Sequence, residues 1–167
     1  MNIVLFGFMG SGKTSVGKLA AKLLKMNYLS TDEEIVKKEK RPINDIFEKE
    51  GEPYFRLVEK EVIKESSAKD NVIIDTGGGV IIDNDNVTSL KKNGILILLW
   101  AREDILLKRI KDGKERPLLN VDDKIAKITE LLKKRNPLYN KIPFKIDTSE
   151  KSIESVVEEV INIFKAN

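Results

Sequence analysis

The chain has no cysteine and no histidine among its 167 residues. The first absence rules out disulfides, thiolate metal centres and cysteine nucleophiles. The second removes the commonest general base and metal ligand, so proton transfer falls to Asp, Glu, Lys or Tyr. No apolar run approaches the ~20 residues that cross a membrane as a helix. No charged leader or cleavage pattern precedes the first apolar run at residues 3–6, so the expectation is a cytoplasmic chain. Charge of one sign is also lacking: 30 Lys and Arg against 27 Asp and Glu leave +3, with the signs interleaved. A nucleic-acid-binding tail is therefore not expected. What is present, 41% apolar and 34% charged residues, suffices for one folded domain spanning 1–167. No long linker, internal repeat or low-complexity segment divides it.

The most informative stretch is Gly7-Phe8-Met9-Gly10-Ser11-Gly12-Lys13-Thr14. It has the Walker A form G-x-x-x-x-G-K-S/T, in the context that the motif requires. Ile3-Val4-Leu5-Phe6 before it reads as a strand; Val16, Leu19, Ala20, Leu23 and Leu24 after it recur at helical spacing. Gly10, Ser11 and Gly12 let successive N–H groups turn toward phosphate oxygens, and the helix N-terminus adds partial positive charge. Lys13 would reach the β- and γ-phosphates, with Ser15 just behind, and Thr14 would offer a hydroxyl to Mg²⁺. ATP and Mg²⁺ are thus the expected ligands.

Along the chain, strands are expected near residues 2–6, 28–30, 72–75, 94–100 and 144–147. Helices are expected at 13–25, from Thr31 to Pro42, at 43–50, 53–67, 104–111, 123–135 and from Ile153 onward. Thr31 and Glu34 have the spacing of a capping box, with Thr31 as N-cap. Asn136-Pro137 is expected to end its helix. In the last helix Ile153, Val156, Val157, Val160, Ile161 and Phe164 share one face. The polar segment 112–122, with Gly113 and Pro117, reads as a lid. Strands alternating with helices imply an α/β fold of three layers, its parallel sheet covered on both sides. Ligands then bind beyond the carboxyl ends of the strands, where the Walker loop, Asp32 and Gly77–Gly79 converge.

A phosphate loop names a nucleotide, not an acceptor. Arg56, Arg116 and Arg135 each offer a planar fork matched to carboxylate or phosphate, and each alone also fits a solvated surface. Three glycines after a core strand cost folding entropy; the functional reading is close approach of a ligand, and the plain one a tight turn. Val72-Ile73-Ile74-Asp75 is an apolar strand ending in Asp, which is the Walker B form.

Together these pieces resemble the shikimate kinase family over nearly the whole chain. The most specific matches are Gly77-Gly78-Gly79, Arg116-Pro117-Leu118-Leu119 and Arg135-Asn136-Pro137-Leu138-Tyr139, joined by Asp45-Ile46-Phe47 and by Gly51-Glu52 with Phe55-Arg56. The resemblance implies a P-loop NTPase fold of the nucleoside-monophosphate-kinase type, with five parallel strands in the order 2-3-1-4-5. It implies phosphorylation of the 3-hydroxyl of shikimate by ATP, in aromatic amino acid biosynthesis, by an expected monomer. Asp32 would orient or deprotonate the attacking hydroxyl, and Arg56 and Arg135 would bind the carboxylate. Gly78, within the triplet, would face the ring. Arg116 would close over the phosphates and Arg109 would stack on adenine. Residues 31–67 would form the acceptor-binding part.

The sequence departs from the family in three places. Ser30 stands where a second acid is usual, two residues before Asp32. Asp75 stands where a small or uncharged residue is commoner. Ser149-Glu150-Lys151-Ser152 replaces a segment that often carries arginines and a proline, so Lys151 is the expected nucleotide contact there. Asp75 keeps two readings: an outer-sphere metal role that Ser30 lacks the carboxylate for, or a cap on the glycine turn. A sugar-acid kinase of the same fold, such as a gluconate kinase, and a nucleotide switch without turnover remain as alternatives. The triplet and the placement of Arg56 favour the first reading.

Overall fold

The computed structural model of the protein describes residues 1–111 and 124–167. Expected strands and helices alternate in it: β1 Asn2–Phe6, α1 Lys13–Leu24, β2 Asn27–Ser30, α2 Thr31–Glu39, α3 Ile43–Ser67, β3 Val72–Asp75, α4 Asn84–Lys91, β4 Gly94–Trp100, α5 Glu103–Lys111, α6 Lys124–Tyr139, β5 Phe144–Asp147 and α7 Ile153–Lys165. A 3-10 turn, Val80–Ile82, precedes α4. The sheet is wholly parallel in the order β2-β3-β1-β4-β5, as expected for helices packed on both faces.

Successive side chains of a strand point to opposite faces, and the core divides accordingly. Val4, Phe6, Ile74, Leu96 and Leu98 belong to a cluster with Leu90, Leu106, Leu132 and Tyr139. Ile3, Leu5, Ile73, Ile95 and Ile97 pack with Val16 and Ala20 of α1 and Val156, Val157 and Val160 of α7. Ile35, Ile46, Phe55, Val58 and Val62 form a smaller core that joins α2 to α3. β1 lies at the sheet centre, so the loop that leaves it is anchored on both flanks.

Four local features differ from the sequence reading. The N-cap of α2 is Ser30, whose Oγ accepts from Glu33 N–H at 3.4 Å. Thr31 is instead buried and its Oγ1 accepts from the Gly77 N–H at 2.9 Å, a tertiary use that a local capping pattern does not reveal. Asn136-Pro137 does not end α6. Proline removes one helical hydrogen bond, but the Asn140 N–H bonds the Asn136 carbonyl at 2.9 Å and buried Tyr139 holds the last turn against the core. The residues after the glycine triplet, with no assigned element in the sequence reading, form the 3-10 turn and α4. Ile153 is 45% exposed and lies outside the buried face of α7. Gly51 does break its helix, with φ at 81°, inside what is otherwise one long α3. The proposed lid, 112–122, and Arg116 lie outside the described residues.

Candidate active site

Gly10 and Gly12 have φ of 78° and 92°, torsions that only glycine adopts without strain. Gly12 is the N-cap of α1 and supplies no side-chain acceptor, so the first N–H groups of the helix are left for another partner. Nζ of Lys13 donates to the carbonyls of Gly7 at 2.9 Å and Phe8 at 3.2 Å. The ammonium thus lies folded into its own loop. Oγ of Ser11 is buried with no hydrogen-bond partner among the described residues, an orphan that a bound oxyanion would satisfy. Ser15 is exposed on the first turn of α1.

Arg109, on α5, does reach this loop. Its guanidinium donates to the Gly10 carbonyl at 3.2 Å and to Thr148 Oγ1 at 3.0 Å and carbonyl at 2.6 Å. Oγ1 of Thr148 in turn lies 3.1 Å from the Trp100 carbonyl and 3.3 Å from that of Ser11. The ends of β4 and β5 are thereby tied to the phosphate loop. Lys151 follows the same β5 end, but its ammonium pairs with Glu159 of α7 at 2.6 Å.

A second concavity, of about 160 Å³, opens beside the loop between α2, α3, α6 and the glycine triplet. Ordinary drug-sized ligand pockets hold about 300–1,000 Å³, so this one has room for a small molecule. Asp32, Arg56, Glu59 and Arg135 all line it, together with Gly77, Gly78 and Gly79. None of the triplet glycines has positive φ; they are needed for room. A Cβ on Gly77 would lie 2.7 Å from Oδ1 of Asp32, one on Gly78 3.2 Å from Nη1 of Arg135, and one on Gly79 2.7 Å from Cζ of Arg56. Tyr139 fixes the turn from behind, its hydroxyl donating to the Gly78 carbonyl at 2.7 Å.

The charges here are unevenly matched. Arg56 donates to Glu59 at 2.7 Å and to Glu52 at 3.1 Å. Burial pulls its pKa down, but the paired carboxylates outweigh that and the net direction is up. Glu59 is buried; desolvation raises its carboxyl above the ordinary value despite the opposing pull of Arg56. Arg135 is 3% exposed, forms no ion pair among the described residues and leaves Nε without a partner. Desolvation lowers its pKa and the positive charge of Arg56 adds to that, against the opposing pull of Tyr139 and Glu59. Its guanidinium lies 5.5 Å from the Phe8 ring centroid. A buried cation with no ion pair among the described residues, beside a second guanidinium, is costly unless an anion arrives.

The family profile described as shikimate kinase matches residues 9–165. The chain belongs to the shikimate kinase family. The shikimate kinase of Caldanaerobacter subterraneus subsp. tengcongensis is 47% identical over 98% of this chain and 95% of its own length. That of Caldicellulosiruptor saccharolyticus is 47% identical over 99% and 96%. Among solved structures, the Acinetobacter baumannii shikimate kinase in complex with shikimate superposes with a TM-score of 0.93, at 37% identity, covering 99% of this chain and 93% of that one. A gluconokinase from Sinorhizobium meliloti, at 18% identity and a TM-score of 0.63 over 96% of this chain and 89% of that one, shares the fold alone.

Ser30 of β2 and Asp75 of β3 are opposite one another in the strand register. Asp75 is buried, and its Oδ2 accepts from Thr14 Oγ1 at 2.7 Å and from the Tyr28 hydroxyl at 2.8 Å. It makes no bond to the glycine turn; Thr31 caps that turn instead. The turn-cap reading of Asp75 is therefore corrected.

The sequence reading omitted Glu59, Tyr139, Thr148 and Tyr28 from the site. Glu59 had a usable signal, since it follows Arg56 by three residues on one helix and so shares its face. The other three act through contacts between distant segments.

Proposed function

We propose that the protein transfers the γ-phosphoryl group of ATP to the 3-hydroxyl of shikimate, releasing ADP and shikimate 3-phosphate. The observation that carries this reading is Arg135: a buried guanidinium without an acid partner among the described residues, set beside Arg56 in a small cavity that also holds Asp32. Such a cavity fits a compact acid with a carboxylate at one end and hydroxyls at the other. The family membership and the similarity to a shikimate-bound relative support the same assignment.

In this reading Arg56 and Arg135 take the carboxylate in charge-assisted bonds. Glu59 holds Arg56 in place, and Gly77, Gly78 and Gly79 allow the ring to approach the backbone. Asp32 accepts the proton of the attacking hydroxyl as that oxygen bonds to phosphorus, and the bond to the ADP oxygen breaks. Lys13 exchanges the carbonyls of Gly7 and Phe8 for the β- and γ-phosphates, and the backbone from Gly10 to Thr14, with Ser15 behind it, cradles them. Arg109 and Lys151 line the nucleotide side. Mg²⁺, when bound with the nucleotide, would supply positive charge against the phosphates. Thr14, and Asp75 through water, fit it: a hydroxyl and a buried carboxylate that meet at 2.7 Å and have no cation partner among the described residues. Among the described residues no group of three or more Asp or Glu is placed to hold a metal ion. Residues 31–67 are the acceptor-binding part of a single domain. The same reading includes a cytoplasmic monomer; no described helix is long and apolar enough to cross a membrane.

The direct test is phosphorus NMR of a reaction of the purified protein with ATP, Mg²⁺ and shikimate. A new phosphomonoester on the 3-oxygen is expected. Release of inorganic phosphate alone would overturn the assignment.

A further inference from the structure

Asp75 has an asymmetric environment. Two hydroxyls, from Thr14 and Tyr28, converge on Oδ2 at 2.7 and 2.8 Å, and Oδ1 has no hydrogen-bond partner among the described residues. The residue is 5% exposed. A buried carboxylate held by one oxygen presents the other in a fixed direction. The phenol that holds it is itself fixed. A Cβ on Gly17 of α1 would lie 2.9 Å from the Tyr28 ring, so the ring packs flush on that helix. Nζ of Lys18 sits 5.5 Å from the ring centroid. Thr14 and Tyr28 are the flanking supports, one on the phosphate loop and one on β2.

We propose that Tyr28 is a positioning residue for the metal–nucleotide site: by donating to Oδ2 of Asp75 it fixes the carboxylate so that Oδ1 faces the metal-bound water and the Thr14 oxygen keeps a lone pair for the metal. This rests on the outer-sphere role given to Asp75 above. The carboxylate stands on β3, opposite Ser30 of β2, and the hydroxyl that orients it comes from β2. Partners of this outer kind are worth about 10–100-fold in metal affinity where they have been removed.

The test is calorimetry of ADP binding with and without Mg²⁺, for wild type, Tyr28→Phe, Asp75→Asn and the double variant. Phe keeps the ring packed on Gly17 and removes only the donor. Mg²⁺ should tighten ADP binding in wild type, and Tyr28→Phe should reduce that gain by about tenfold, with metal-free ADP affinity within about twofold of wild type. In the Asp75→Asn background, Tyr28→Phe should cost nothing further, because the group it orients is gone. A full Mg²⁺ gain in Tyr28→Phe with a reduced gain in Asp75→Asn would overturn the role of Tyr28 and leave that of Asp75. A full gain in both would overturn both. A lowered melting temperature in Tyr28→Phe with the Mg²⁺ gain intact would make the tyrosine a packing residue and also overturn the proposal.

Discussion

The guanidinium of Arg56 lies directly against Gly79, so that a Cβ on that glycine would sit 2.7 Å from Cζ. The same holds along the triplet, with Gly77 under Asp32 and Gly78 under Arg135. Each glycine thus makes room for one site side chain. Small size is what the triplet supplies, since its φ values are ones that other residues adopt.

This pairing predicts separable effects. Gly79→Ala should displace Arg56 and raise the KM for shikimate, with the KM for ATP little changed. Gly77→Ala should displace Asp32 and lower kcat. Gly78→Ala should be the mildest, as its added carbon would meet Arg135 only at 3.2 Å. Steady-state kinetics of the three variants would check this; three indistinguishable defects would reduce the triplet to an ordinary turn.

Arg135→Met should trade function for stability. The methionine removes a buried guanidinium that lacks an ion pair among the described residues and keeps much of its volume. The melting temperature without ligand should stay the same or rise, as when buried charges give way to apolar groups. The KM for shikimate should rise about 10–100-fold, the scale of a charge-assisted bond. Calorimetry and kinetics on one preparation would show both; a lower melting temperature with an unchanged KM would make Arg135 a packing residue.

Asp32→Asn should lower kcat on the order of 10² or more, as expected when a positioned base loses its charge. ADP affinity should be unchanged, because Asp32 lines the acceptor cavity. An unaltered kcat would leave Asp32 as a helix-start charge on α2.

The Glu59 carboxyl gives a pH signature. Burial raises its pKa above the ordinary value of 4.5 in the folded protein. Its contribution to stability is therefore complete below the unfolded pKa and is lost as pH rises through the folded one. Glu59→Gln has no such loss. As pH rises above the unfolded pKa, the unfolding free energy of Glu59→Gln should gain on that of wild type. Denaturant titrations at several pH values would measure the gap; parallel curves would place Glu59 in an unshifted environment.

Much of this arrangement is legible in the sequence because it is local. The Walker loop, the apolar strands 72–75 and 94–100 and the helical face of α7 are short-range patterns, and the parallel α/β layering follows from their alternation. The contacts that complete the site are long-range. Thr31 reads as a local cap yet serves Gly77, 46 residues on. Tyr28 reads as a strand residue yet holds Asp75, and only the β2–β3 register puts Asp75 opposite Ser30. α6 continues through Pro137 because tertiary burial of Tyr139 outweighs one lost backbone bond. Local signals carry none of this information.

The central claim is acceptor identity, and the decisive measurement is ADP release by the purified protein with ATP, Mg²⁺ and, in turn, shikimate, gluconate and AMP. A cavity of about 160 Å³ with two guanidiniums at one end should reject AMP, which has no carboxylate, and gluconate, whose open chain does not present its hydroxyls as a compact ring does, by roughly 10³-fold or more in kcat/KM. The account predicts that margin for shikimate over both competitors. Equal or faster turnover of gluconate, or ADP release that is indifferent to the acceptor, would contradict it.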